Sequence, residues 1–212
     1  MKSMLKLAGV ILFAIAFAFV ESSVVVYLRA LYYPEGFQFP LKLLGNHHLA
    51  VELAREAATI VMLAAVGVIA GATRWQRFAY FLIAFGVWDI FYYLWLKVAI
   101  GWPVSIFDWD ILFLLPVPWI GPVLAPVLVS VLMILAGALI LHRDEDQWMF
   151  RVPLKVWILA LAGTAAILLS FMIDTAATLE LQPPKPYRYE LFAAGIALYL
   201  VAMVLAFRQR RT

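Results

Sequence analysis

Six stretches of about twenty or more predominantly apolar residues run through this chain, each long enough to cross a bilayer as a helix. They fall at roughly 5–31, 49–72, 77–100, 121–141, 153–175 and 189–207. Lipid offers no hydrogen bonds, so a spanning segment must satisfy its backbone internally, which selects helices here. Only 14% of the 212 residues are charged, whereas soluble domains carry about a quarter. The expected fold is an all-α polytopic membrane helix bundle with six transmembrane spans, and residues 1–212 read as a single integral membrane domain. Lys2, Lys6 and the apolar run to Ala16-Phe17-Ala18 imitate a signal peptide. Apolar character resumes after Ser23, so the segment reads as an uncleaved first span.

The fourth span has a broken approach. Residues 109–115 are apolar, but Pro116, Pro118 and Pro122 cannot all lie within one helix. A short interfacial or re-entrant piece is expected there, with Pro122 in the first turn of the span itself.

Basic residues set the orientation. Lys2, Lys6, Arg74, Arg77, Arg143, Arg151, Lys155, Arg208, Arg210 and Arg211 all flank one side. The opposite loops hold Lys42, Lys185 and Arg188 beside Glu35, Asp108, Asp110 and Glu180. Both termini are expected in the cytoplasm, with the chain in a bacterial or archaeal cytoplasmic membrane. The net charge of +3 belongs to these flanks and points to no nucleic-acid partner. Gln182-Pro-Pro-Lys-Pro186 reads as an extended outer linker.

On this topology Glu21, Glu52, Arg55, Glu56 and Asp89 interrupt the apolar runs in the outer half only. A charge at bilayer depth costs about 2.5–3.5 kcal/mol on insertion scales, which makes such residues site candidates. His48, Glu52, Arg55, Glu56 and Thr59 share one helix face within an arc about 100° wide. They span a rise of roughly 16 Å, about half the hydrocarbon thickness. Met62, Leu63 and Val66 continue the same face. The pattern fits a polar pocket that enters from outside and closes near the midplane.

Imidazole and carboxylates four residues apart suit iron, manganese or zinc. His48, Glu52, Glu56, Glu21 and Asp89 are the candidate ligands of such a divalent metal. Glu56, Asp89 and Tyr93 are the candidate catalytic groups, with Tyr92 and Tyr93 one turn from Asp89. Arg55 and Arg29 are the charge partners, and Lys97 is a further candidate partner for Asp89. The competing reading is an internal ion-pair network, in which Arg55 neutralises Glu52 or an acid on a neighbouring span. Four acids (Glu21, Glu52, Glu56, Asp89) against three bases (Arg29, Arg55, Lys97) leave one negative charge unmatched. A cation or a shared proton would complete the balance. Asp108, Asp110 and Asp174 read as rim or capping groups, His47 as a loop residue, and His142 through Asp146 as a solvated hairpin.

Arg55-Glu56-Ala57-Ala58-Thr59 resembles the Arg-Glu-x-x-Glu element of high-affinity iron permeases, but Thr59 stands where the second acid belongs. No residue role is carried over from that family. The chain has no cysteine, no deep pair of histidines for haem, no phosphate-binding glycine loop, no Gly-x-Ser-x-Gly and no His-Glu-x-x-His. Two functional classes fit the pattern. One is a membrane enzyme or binding protein whose outer pocket takes a lipid, quinone or other apolar molecule. The other is a transporter or channel for protons or a small cation. A scaffold subunit of a larger complex or oligomer is the blander third.

Overall fold

The computed structural model describes residues 2–37, 45–145, 152–175, 179–180 and 185–208. Lys42, Asp146, Arg151, Gln182, Arg210 and Arg211, named above, lie outside the described residues. Six helices cover the expected spans: α1 (Lys2–Tyr32), α2 (Asn46–Ala70), α3 (Arg74–Ile100), α4 (Leu124–Glu145), α5 (Leu154–Met172) and α6 (Tyr189–Phe207). All six are long and apolar enough to cross a membrane, and the chain is a multi-pass integral membrane protein.

Helix α3 is the centre of the bundle, with over half of its apolar window buried against about a quarter for the others. Val10, Ala14 and Ala18 of α1 and Leu63 of α2 close on its Tyr80, Ile83, Ala84, Val87 and Trp88. Its ends carry clear signals. Thr73 accepts a hydrogen bond from the Gln76 backbone N–H, while the Gln76 side chain accepts from Ala72 N–H, a reciprocal cap at the start. Gly101 ends the helix with φ +71°, the left-handed geometry that glycine adopts without steric penalty. Helix α4 approaches α3 where two glycines permit it. A Cβ on Gly86 would lie 2.5 Å from the Ser130 carbonyl oxygen, and one on Gly137 would lie 2.7 Å from that of Ala79.

The proline-broken segment expected before α4 is present, and it takes the form of a β-hairpin. Strands β1 (Trp109–Phe113) and β2 (Trp119–Pro122) pair antiparallel, with Asp110 opposite Gly121 and a register irregularity between Ile111 and Phe113. Pro116 and Pro118 fall in the connection. Pro122 closes β2, so the expectation that it opens the fourth span is corrected. Pro126 occupies the first turn of α4 instead, where its missing N–H breaks no intrahelical bond. The Leu124 and Val123 N–H groups bond to the Ile106 and Asp108 carbonyls. Two further expectations change: His47 lies inside α2, and α4 runs through His142 to Glu145.

Helices α5 and α6 pack on each other through Gly163 and Gly195. They join the other four chiefly at the hairpin end, where Phe171, Tyr187 and Phe192 cluster with Ala125 and meet Trp119.

Candidate functional site

Helix α2 turns Glu52, Glu56, Thr59 and Leu63 inward, as the helical face requires. Across from them α1 presents Glu21 and Arg29, α3 presents Asp89, Tyr92 and Tyr93, and β1 presents Asp110. These residues, Thr59 and Leu63 excepted, line one cavity of about 150 Å³ at the hairpin end of the bundle. Tyr32, Tyr33, Phe37, Trp88 and Phe113 complete much of its wall. The structure thus brings Glu21, Glu52, Glu56, Asp89, Tyr93, Arg55 and Arg29 to one cavity.

Two ion-pair systems organise the site. Arg55 bonds through Nε and Nη2 to Glu52 Oε2 at 2.9 and 2.7 Å and pairs through Nη1 with Glu21. The Thr59 hydroxyl donates to the other Glu21 oxygen at 3.1 Å, so α1 and α2 are joined at buried depth. In the second system Arg29 Nη2 donates to Asp110 Oδ1 at 2.9 Å. The Arg29 guanidinium also sits 3.7 Å from the Trp102 ring centroid and 4.4 Å from that of Phe37, a cation–π enclosure. Burial pushes the Asp110 carboxyl up to about 6, against the opposing pull of Arg29.

Glu56 plays a different part. Both its oxygens accept from the Leu114 N–H, at 3.1 and 2.9 Å. That N–H lies just past β1, at an edge that would otherwise present an unpaired donor inside the bundle. Asp89 accepts from the Ser130 hydroxyl of α4 at 2.8 Å. Tyr92 and Tyr93, one turn away, line the cavity beside it. Lys97 is turned away: its Nζ donates to the Gly101 and Pro103 carbonyls at 3.1 and 2.8 Å, capping α3. His48 stands outside the cavity lining, exposed, with Nδ1 2.6 Å from the Tyr32 hydroxyl. Among the described residues no three His, Asp or Glu side chains converge as metal ligands would.

Asp110 and Ser130 are the groups that sequence reasoning undervalued. Asp108 closes the turn before β1, its Oδ2 accepting from the Val104 and Ser105 N–H groups. Asp110, two residues on, is 2% exposed and belongs to the site. Ser130 carries the only hydroxyl between Pro126 and Ile140, a signal that was available in the sequence.

With Lys97 out and Asp110 in, five carboxyl groups (Glu21, Glu52, Glu56, Asp89, Asp110) surround the cavity against two guanidiniums. Arg29 Nη1, Asp110 Oδ2 and Trp88 Nε1 are buried without a hydrogen-bond partner, and all three residues line the cavity. Buried polar atoms are rarely left unpaired, so water or a ligand's acceptor would bond the two N–H groups, and a cation or N–H donor would bond Asp110 Oδ2. The arrangement can hold a small polar species, and acidic groups outnumber basic ones around it by five to two. No protein-family model, curated protein or solved structure matches this chain.

Proposed function

We propose that the cavity is an outward-opening binding site for a small cation or compact cationic group, making the protein a binding protein or transporter for that species. The observation that carries this reading is the charge balance: five carboxyls and two guanidiniums around one partly enclosed space. Removing charges from water is costly unless they are paired, and a cation supplies the missing partner. The walls support an organic ammonium in particular, because tyrosine and tryptophan rings attract such groups through their negative faces. Size supports it as well. A cavity of about 150 Å³ accommodates one benzene, which favours a handful of heavy atoms over a lipid or quinone. A divalent metal is the narrower form of the same reading, and it requires Glu21 or Glu52 to leave Arg55. The outward direction follows from the basic residues gathered at the opposite end of the helices.

Titration calorimetry on the detergent-purified chain tests this with sodium, ammonium, tetramethylammonium and manganese ions. One of these should bind saturably, and Asp89→Asn should weaken it about tenfold by removing one charge without changing shape. Heat-free titrations across all four ions, with the protein folded, would overturn the reading. Flux of the bound ion into proteoliposomes then separates a transporter from a binding protein.

A further inference from the structure

A second cavity lies at the other end of the bundle, between α3–α4 and α5–α6, and has a volume of about 370 Å³. Its lining is almost wholly apolar, with Leu82, Leu132, Ala136, Trp157, Ala160 and Met203 on its walls. The two hydroxyls it contains, Thr164 and Tyr199, satisfy each other at 2.5 Å. On α4 the lining runs from Val129 to Ile140, and on α5 from Val156 to Ile167. Each stretch rises roughly 16 Å, about half of a hydrocarbon core some 30 Å thick. The cleft is therefore one leaflet deep.

It starts at the basic end. Each helix that lines it carries a cation near that end: Arg74 begins α3, Arg143 lies in the last turn of α4 before Asp144 and Glu145, Lys155 is second in α5 and Arg208 follows α6. Arg74, Lys155 and Arg208 are exposed. Arg143 bridges the mouth, its Nη2 donating to the Phe207 carbonyl at 2.5 Å and its guanidinium 5.8 Å from the Phe207 ring centroid. An apolar slot one leaflet long, with exposed cations at its opening, has the shape and charge of a phospholipid. Basic pockets between spans on the cytoplasmic side are known to take anionic headgroups. We infer that this cleft holds one acyl chain of an anionic phospholipid, with the headgroup at Arg74, Lys155 and Arg208. The bound lipid fills the gap that the loosely joined α5–α6 pair leaves along its lower half. This site is separate from the cation cavity and does not depend on the function proposed for it.

Native mass spectrometry of the full chain in mild detergent tests the inference with phosphatidylglycerol and phosphatidylcholine. One phosphatidylglycerol should be retained preferentially. Each of Arg74→Gln, Lys155→Gln and Arg208→Gln should cost about fivefold in that preference, the worth of one basic residue near a lipid surface. Ala136→Phe and Ala160→Phe, which fill the cleft from opposite walls, should abolish retention while the helical circular dichroism stays unchanged. Equal retention of both lipids by the wild type would overturn the proposal. So would undiminished retention by whichever filling variant folds, or a dimer that forms without lipid and is broken by either filling substitution.

Discussion

Arg29 and Asp110, 81 positions apart in the chain, meet at 2.9 Å and fasten the β-hairpin to the first helix. Both side chains are almost fully enclosed, at 10% and 3% exposure. An ionised Asp110 would not be tolerated there without Arg29, because stranding one partner of a buried pair costs about 3–5 kcal/mol.

The pair gives the protein a specific pH response. Burial raises Asp110 from 3.8 to about 6, and Arg29 holds it from rising further. A carboxyl raised in the folded state contributes stability below its unfolded pKa and loses it as pH climbs through the folded one. Between about pH 4 and about pH 6 this group should therefore withdraw about 3 kcal/mol. Asp110→Asn should remove that part of the pH slope. Arg29→Met should carry the loss to higher pH, so that the variant is weakest near about pH 8 and closest to wild type near about pH 4. Melting temperatures across that range decide it. A slope that Asp110→Asn leaves unchanged would show that other groups set it.

Arg55 makes the larger electrostatic commitment, because it serves Glu21 and Glu52 together. Arg55→Met should destabilise by about 3–5 kcal/mol by leaving two buried acids unneutralised. Adding Glu21→Gln and Glu52→Gln to that variant should recover most of the loss, since uncharged amides need no counter-ion. Denaturant or thermal unfolding in one detergent measures both. If the triple variant is no more stable than Arg55→Met, packing rather than charge accounts for the arginine.

The helices were legible because hydropathy is a property of each segment by itself. All six spans fall within a few residues of their expected positions, and the shared face of Glu52, Glu56 and Thr59 turns inward as its periodicity requires. The pairing was not legible. Whether Glu21 meets Arg55 or Arg29, and whether Asp89 meets a tyrosine, a lysine or Ser130, depends on helix rotation and approach, which local sequence does not encode. The hairpin escaped for a related reason. Five apolar residues followed by prolines announce a break, but β1 and β2 become strands only through each other and through the anchors at Arg29 and Glu56. His48 shares the polar face but sits about one turn too near its end to reach the cavity.

The close approach of α3 and α4 should be sensitive to a single carbon. Gly137→Ala would place a methyl 2.7 Å from the Ala79 carbonyl oxygen and from Ile83. Overpacking of this kind costs about 1–3 kcal/mol. Gly9→Ala is the control: nothing lies within 4 Å of its would-be Cβ, so this substitution should be neutral or slightly stabilising. Thermal unfolding of the two variants side by side gives the comparison, and equal effects would contradict the packing described.

Glu56 offers the most direct test of what holds the roof of the cavity. Its carboxylate receives the Leu114 N–H through both oxygens, and it comes from α2 while the hairpin lies between α3 and α4. Glu56→Ala would leave a part-buried N–H without its partner, at about 1 kcal/mol, the low end of the cost for an unpaired donor. Glu56→Gln keeps one acceptor oxygen at the same reach and should lose far less. Hydrogen–deuterium exchange over residues 110–115 reads the difference locally. Exchange should accelerate in Glu56→Ala, remain near wild type in Glu56→Gln, and stay unchanged in both over α5 and α6. Equal acceleration in the two variants would mean that the charge of Glu56, rather than its hydrogen bond, keeps the hairpin seated.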